Sequence, residues 1–185
     1  KNELLNKEFP KEKQRKLCED VISRIGLKKE CSRLDLSTHP FTEKLGMNDI
    51  RITTNFRESP LFSFESTIHE AGHGLYELNL PVKDAYNILG SAPSLGIHES
   101  QSRFWENMNG KSRYFWEYYF PVFKKEFNLD GSFEQWFREV NFVQPSFIRV
   151  EADEVTYCLH VILRFEIELG LIDGTIKVKD LPKIW

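Results

Sequence analysis

Apolar residues recur at helical spacing along much of this chain. Residues 8–25 place apolar side chains three or four positions apart, on one face of a predicted helix whose other face is heavily charged. Residues 64–79 repeat the pattern, and Pro81 follows just beyond, where helices commonly stop. The same spacing predicts four more helices, over residues 96–108, 112–127, 133–140 and 152–169.

One segment carries a strand pattern instead. Residues 49–56 alternate polar and apolar side chains and are rich in β-branched residues, which is typical of a strand. Residues 38–41 are predicted to form a loop, because the position before Pro40 disfavours the α conformation. Residues 146–150 fit either an extended or a helical segment. The predicted fold class is therefore mainly α, with one or two short β-strands.

Composition narrows the function classes. The chain is 41% hydrophobic and 29% charged, with a net charge of −3, so we expect neither nucleic acid nor an anionic membrane surface as a partner. No apolar run is long enough to span a bilayer, and the first residues lack a secretory signal pattern. Three cysteines without C-x-x-C spacing, Cys18, Cys31 and Cys158, indicate reduced thiols. We therefore expect a cytoplasmic protein.

The strongest chemical signal is His69-Glu70-Ala71-Gly72-His73. Two histidines four residues apart on a helix lie about 40° apart around its axis and about 6 Å apart along it. Both imidazoles can therefore reach one metal ion, while Glu70 can contact a water molecule beside that ion without being a ligand. The pattern predicts a zinc-peptidase helix, with His69 and His73 as metal ligands and Glu70 as the general base.

A third ligand must come from another part of the chain. A catalytic zinc site uses three protein ligands and leaves a position open for water, but position 79 is Asn, which excludes a third histidine at the short spacing. Glu99, at the start of the next predicted helix, is our choice on spacing. His98 is the alternative ligand, and Glu99 could instead be an acidic residue favoured by the helix dipole.

Five motifs in one order resemble the carboxypeptidase Taq family, the M32 metallocarboxypeptidases. They are His39-Pro40-Phe41, Asp49-x-Arg51-x-Thr53, His69-Glu70-x-x-His73, His98-Glu99-Ser100-Gln101 and Ile148-Arg149-x-x-Ala152-Asp153. The resemblance covers nearly the whole chain. It implies a helical zinc-peptidase core, with Glu99 on a second ligand-bearing helix and the short strands beside the active site.

The same resemblance implies an activity and its setting. Members of this family are cytosolic homodimers that use zinc or cobalt to release residues one at a time from peptide C-termini. They are several times longer than the motif-bearing core. Residues 1–185 contain no internal repeat and no linker-like segment, so we interpret them as a single unit. That unit would be the catalytic core of a larger helical metallocarboxypeptidase, lacking its N- and C-terminal segments.

Recognition of a peptide carboxylate calls for an arginine, because the planar guanidinium group matches a carboxylate. Arg149 is the first candidate. Arg51 is the second, although Asp49 on the same predicted strand face favours a structural ion pair. His39 is expected to line the substrate groove or simply to form a His-Pro turn. His160 is either a donor near the site or a buried helix residue.

Two other functions fit the same residues. An oligopeptidase or endopeptidase could be built on the same helical plan, and a binding module could retain a metal ion only for stability. Of the three functions, we favour a zinc carboxypeptidase that acts on peptides.

Overall fold

The computed structural model describes residues 3–5 and 7–185. The chain divides into two compact units, Lys1–Val140 and Asn141–Trp185. This division does not test the predicted single unit over residues 1–185, which stays a prediction. The mainly helical fold class is confirmed.

The first unit contains five α-helices and a small sheet among its described residues. The helices are α1 (Lys11–Arg24), α2 (Pro60–Leu78), α3 (Leu95–Arg103), α4 (Arg113–Phe127) and α5 (Phe133–Val140). The strands are β1 (Ser32–Leu36), β2 (Thr42–Gly46) and β3 (Asp49–Thr54). Short 3₁₀ turns lie at Glu3–Leu5, Val82–Asp84 and Ile88–Gly90, and a π-helical segment, Phe104–Asn109, follows α3 directly.

The sheet has three strands where the sequence pattern predicted one or two. Its order is β1-β3-β2, with β1 parallel and β2 antiparallel to the central strand β3. The predicted strand 49–56 corresponds to β3, which ends at Thr54. Residues 37–41 connect β1 to β2 without a regular element, as the His-Pro pattern predicted. The short edge strand β2 lies against α2 and contributes Thr42 and Lys44 to the site described below.

Helix α2 begins earlier than the sequence pattern indicated. Ser59 is its N-cap, with its side chain accepting a hydrogen bond from the backbone N–H of Leu61, and Pro60 occupies the first helical position. Proline is favoured there, because its missing N–H would have no partner inside the helix. The four residues added at the start bring Phe64 into the second turn, where it is 1% exposed.

Two hydrophobic clusters hold α2 in place. One is largely aromatic and joins α1, α2, α4 and α5, with Trp116 and Trp136 fully buried at its centre. The aromatic residues on the buried face of α4 therefore belong to the core. The other cluster joins α1 and α2 to the sheet through Ile50 and Ile52. Because α2 is packed on two sides, its remaining face is positioned rigidly for α3.

The second unit is built around α6 (Glu154–Ile172) and the short α7 (Leu181–Ile184). Asp153 is the N-cap of α6 and accepts hydrogen bonds from the backbone N–H groups of Val155 and Thr156. Residues 146–150, which the sequence left undecided, lead into a 3₁₀ turn at Arg149–Glu151. None of the helices in the described part of the chain is long and apolar enough to cross a membrane.

The three cysteines are all free thiols. Cys18 is fully buried, and that burial raises the pKa of its thiol to about 11. Cys31 is partly buried and Cys158 is exposed. The prediction that no cysteine is oxidised to a disulfide is consistent with this arrangement.

Candidate metal centre

Helix α2 presents His69 and His73 on one face, one turn apart. Their ring centroids are 5.0 Å apart and the rings are nearly perpendicular, with an interplanar angle of 78°. Both side chains are mostly buried, with exposed fractions of 18% and 17%. The helical spacing read from the sequence therefore brings both imidazoles to a shared point.

Glu99 on α3 completes a group of three possible ligands. Its Oε2 atom lies 3.5 Å from Nε2 of His69 and 3.3 Å from Nε2 of His73. One ligand atom from each of the three residues lies within 4.8 Å of the other two. The Glu99 side chain is 45% exposed, so one side of this group faces solvent.

A glycine makes this approach possible. A Cβ atom on Gly72 would lie 2.8 Å from Cα of Ser102, 3.1 Å from the backbone oxygen of Gln101 and 3.1 Å from Cδ1 of Trp105. Two of these three atoms belong to the backbone of α3, which cannot yield as a flexible side chain can. The absence of a side chain at position 72 therefore sets the distance between α2 and α3, and with it the reach of Glu99.

The outward nitrogen of His69 has a carboxylate partner. Nδ1 of His69 lies 2.7 Å from Oε2 of Glu106, and Arg103 donates to the same oxygen at 2.9 Å. Glu106 belongs to the π-helical segment that follows α3. Such π turns are rare and often occur at functional sites.

Charge around His69 is strongly negative. Burial alone would lower the pKa of the His69 imidazole, but hydrogen bonds to Glu106 and Glu99 outweigh it and raise that pKa to about 10. Burial opposes ionisation of Glu99 and Glu106, yet contacts with the imidazoles hold the pKa of each carboxyl below its ordinary value. A cation and a proton would therefore compete for Nε2 of His69, the ring nitrogen that lies beside Glu99.

His73 has a different outer partner. Its Nδ1 lies 2.6 Å from Nδ1 of His98, and Nε2 of His98 lies 2.8 Å from Oε1 of Glu77. Lys44 on β2 contacts the same carboxylate, with its Nζ 3.2 Å from Oε2 of Glu77. Burial raises the pKa of the Glu77 carboxyl, but hydrogen bonds from His98 and Lys44 outweigh burial and keep that pKa below its ordinary value.

Glu70 lies between the two histidines and is 7% exposed. Its Oε2 atom accepts a hydrogen bond from the hydroxyl of Thr42 at 2.6 Å, and the same hydroxyl lies 2.8 Å from the backbone oxygen of Glu70. The single hydroxyl hydrogen can serve only one of these acceptors at a time. The edge strand β2 thus holds the Glu70 carboxylate in place.

The family comparison gives the geometry its context. The family model described as Carboxypeptidase Taq (M32) metallopeptidase matches residues 1–185, the whole chain. The chain belongs to this family. Its membership implies a divalent metal ion, and His69, His73 and Glu99 are the described residues that group as possible ligands.

Two curated relatives illustrate the M32 match. Thermostable carboxypeptidase 1 of Thermus thermophilus is 45% identical over 185 residues, which cover 98% of this chain and 36% of the relative. Carboxypeptidase 1 of Bacillus subtilis is 41% identical over 189 residues, which cover 98% of this chain and 37% of that protein. The chain therefore spans little more than a third of the length of these relatives.

Solved M32 structures share the fold of this chain throughout. The M32 carboxypeptidase from Deinococcus radiodurans R1 matches with a TM-score of 0.94 and 42% identity, covering 100% of this chain and 38% of that one. The Pyrococcus furiosus carboxypeptidase structure described as Apo-Mg matches with a TM-score of 0.93 and 39% identity, with the same coverage.

The residues predicted to bind substrate each have local contacts within their own unit. His39 is exposed in the loop between β1 and β2, where its Nδ1 lies 2.8 Å from the backbone oxygen of Pro40. Arg51 forms a bidentate ion pair with Asp49, at 2.5 and 2.9 Å. Arg149, in the second unit, hydrogen bonds to the hydroxyl of Tyr157. The contacts of Arg51 are those of the structural ion pair that its strand position favoured.

Sequence reasoning missed five residues of this M32 site: Thr42, Lys44, Gly72, Glu77 and Glu106. Glu77 lies one helical turn beyond His73, and Glu106 lies seven residues after Glu99, so both shared a helical face with a predicted ligand. Periodicity could have selected them as candidates. The alternative ligand His98 instead contacts Nδ1 of His73, and it is not part of the three-residue group.

Proposed function

We propose that this chain forms the catalytic metal centre of a metallocarboxypeptidase that hydrolyses the C-terminal peptide bond of peptides. The observation that carries this proposal is the meeting of His69, His73 and Glu99 within 4.8 Å, with Glu70 on the same turn of α2. The relatives named as carboxypeptidases support the reaction class. The site residues are assigned by this proposal.

The three donors fit a zinc ion. Two imidazole nitrogens and one carboxylate oxygen are a donor set that catalytic zinc sites use, and the solvent-facing side of Glu99 leaves room for a further ligand. Imidazole and carboxylate ligands also suit cobalt, so we propose Zn²⁺ as the resident ion with Co²⁺ as a working substitute. When bound, such an ion polarises a carbonyl oxygen and lowers the pKa of a water molecule.

Glu70 would act on protons. Its carboxylate, oriented by Thr42, would accept a proton from the attacking water and then deliver it to the amine that leaves when the peptide bond breaks. Its burial and its hydrogen bond restrict it to a single orientation, which is what a proton carrier on a rigid helix requires. The chain itself thus supplies both proton transfers through one residue.

Substrate recognition is assigned more coarsely. We propose that Arg149 binds the free carboxylate of the peptide, that His39 lines the substrate groove, and that Arg51 contributes through its ion pair with Asp49. Neither nucleic acid nor a membrane is among the proposed partners. A cytoplasmic homodimer is the proposed setting, as the family resemblance implies.

Digestion of a defined peptide tests this proposal. The full polypeptide that carries this chain, loaded with Zn²⁺, is incubated with a peptide of about ten residues and with the same peptide amidated at its C-terminus. Mass spectrometry is expected to show successive loss of single residues from the free C-terminus and much slower loss from the amide, because the amide lacks the carboxylate. A chelator should stop both reactions, and added Zn²⁺ or Co²⁺ should restore them.

Two outcomes would contradict the proposal in different ways. Fragments cut at internal bonds, produced equally from both peptides, would show an oligopeptidase. A protein that retains one metal ion but hydrolyses neither peptide would be a metal-stabilised binding module.

A further inference from the structure

We propose that His98 is a positioning residue which, with Glu77 and Lys44 behind it, holds His73 in the one tautomer that can bind a cation. This inference rests on the proposed metal centre, and it assigns to His98 a task other than ligation. Three contacts carry it, running from α2 to α3 and back through α2 to β2.

The first contact joins two ring nitrogens. Nδ1 of His73 and Nδ1 of His98 are 2.6 Å apart, a distance that requires a hydrogen atom between them. In a neutral imidazole one nitrogen carries the hydrogen and the other accepts. If Nε2 of His73 faces a cation beside Glu99, that nitrogen must present its lone pair, so the hydrogen of His73 lies on Nδ1. His73 is then the donor and His98 the acceptor.

The second contact fixes the partner ring. Because His98 accepts at Nδ1, its own hydrogen lies on Nε2, and Oε1 of Glu77 is 2.8 Å away to receive it. A carboxylate can only accept, so it selects this tautomer of His98. The Tyr76 and His98 rings are nearly perpendicular, with centroids 5.1 Å apart, and this packing restricts rotation of the imidazole.

The third contact anchors the carboxylate. Nζ of Lys44 lies 3.2 Å from Oε2 of Glu77 and donates to the backbone oxygen of the same residue at 3.0 Å. The side chains of Glu77 and Lys44 are 20% and 28% exposed, so this pair is more shielded from water than a surface ion pair. Strand β2 thereby holds the far end of the chain of contacts.

The two candidate imidazole ligands are therefore supported differently. His69 donates directly to a carboxylate, Glu106, whereas His73 donates to a neutral ring that only then reaches a carboxylate. Outer partners of this kind orient a metal-binding histidine, and their loss typically reduces metal affinity by about 10–100-fold. His98 precedes the candidate ligand Glu99 directly, so the turn that supplies the third ligand also orients the second.

Metal affinity distinguishes this role from simple packing. We would compare His98→Leu, which has no acceptor, with His98→Asn, whose Oδ1 is bonded to Cγ as Nδ1 is in histidine. The dissociation constant for Zn²⁺ is measured by chelator competition on the full polypeptide, and the visible spectrum of the Co²⁺ form reports on ligand geometry. His98→Leu is expected to bind Zn²⁺ about 10–100-fold more weakly, and His98→Asn to recover most of that loss.

Two further variants sharpen the comparison. Glu77→Gln keeps an oxygen that can accept from His98 but removes the charge, so an intermediate loss of affinity is expected. Leu95→Ala is the control: Leu95 lies on α3, the helix of His98, and is 89% exposed. Its affinity for Zn²⁺ should match that of the unaltered protein. Thermal unfolding of the metal-free forms identifies any variant that fails to fold. If His98→Leu does not fold, the Zn²⁺ affinities of Glu77→Gln and His98→Asn test the positioning role.

The outcomes separate this inference from the proposed function. Unaltered Zn²⁺ affinity in His98→Leu, alongside loss of binding in His73→Ala, would overturn the positioning role and leave the metal centre intact. Equal losses in His98→Leu and His98→Asn would show that ring packing, and not the acceptor, matters. If the unaltered protein binds no Zn²⁺ and His69→Ala changes nothing, both proposals fail together.

Discussion

Replacing Glu70 with glutamine is expected to lower kcat for peptide hydrolysis by about 10²–10⁴-fold while the protein still binds its metal ion. Glutamine has nearly the same shape, and its amide oxygen can still accept the hydrogen bond from Thr42. It cannot, however, take a proton from water at neutral pH. The substitution therefore removes proton transfer without removing the proposed ligands His69, His73 and Glu99.

Steady-state kinetics and metal analysis of the same preparation check this expectation. Glu134→Gln serves as the matched control, because Glu134 is an exposed carboxylate on α5 whose partner is Arg113. The control should retain full activity. A Glu70→Gln protein with normal kcat would show that some other group handles the proton. A protein that had lost its metal ion would show that Glu70 is a ligand or holds the ligands in place.

The second large effect is expected at Gly72. A methyl group there would lie 2.8 Å from Cα of Ser102, closer than real contacts allow, so α3 must move away from α2. Overpacking of this kind typically costs about 1–3 kcal/mol, which corresponds to a loss of metal affinity of about 5–150-fold if all of it falls on the site. Gly72→Ala should therefore weaken Zn²⁺ binding, and the bulkier Gly72→Val should abolish it.

Chelator competition with Zn²⁺ measures this effect, and Gly96→Ala is its control. Gly96 lies in α3 itself, but a Cβ atom there would meet nothing nearer than Oγ of Ser94 at 3.8 Å. That variant should bind Zn²⁺ normally, and its helix should be slightly more stable, because alanine favours helices over glycine. Normal affinity in Gly72→Val would mean that the spacing of α2 and α3 does not position Glu99.

Helices α1, α2, α4 and α5 were largely predictable because each buries one face. The residue pattern of α5 predicted its bounds, Phe133–Val140, and α1 and α4 were predicted within a few residues. The two missed strands, β1 and β2, have only five residues each, and in β2 no residue is fully buried. A short, mostly exposed edge strand gives little alternation to recognise.

The predicted helix over residues 96–108 illustrates a different limit. Its pattern was helical throughout, but the structure changes from α to π geometry after Arg103. One-dimensional periodicity cannot distinguish these two geometries over six residues. Glu106, which contacts His69, lies in the π-helical part.

Within the site, local spacing and long-range contacts contributed unequally. The pair His69 and His73 follows from helical geometry alone, so its meeting point was predictable from sequence. The place of Glu99 depends on how closely α3 approaches α2, which Gly72 determines and no pattern within either helix reveals. The same is true of Thr42 and Lys44, because they reach α2 only through pairing of β2 with β3.

Anomalous diffraction at the zinc absorption edge, from crystals of the metal-loaded protein, tests the central claim most directly. One peak is expected between Nε2 of His69, Nε2 of His73 and the carboxylate of Glu99, at about 2.0–2.2 Å from each. A peak beside other residues would contradict the proposed metal centre. So would the absence of any peak in crystals where Glu99 remains in contact with both imidazoles.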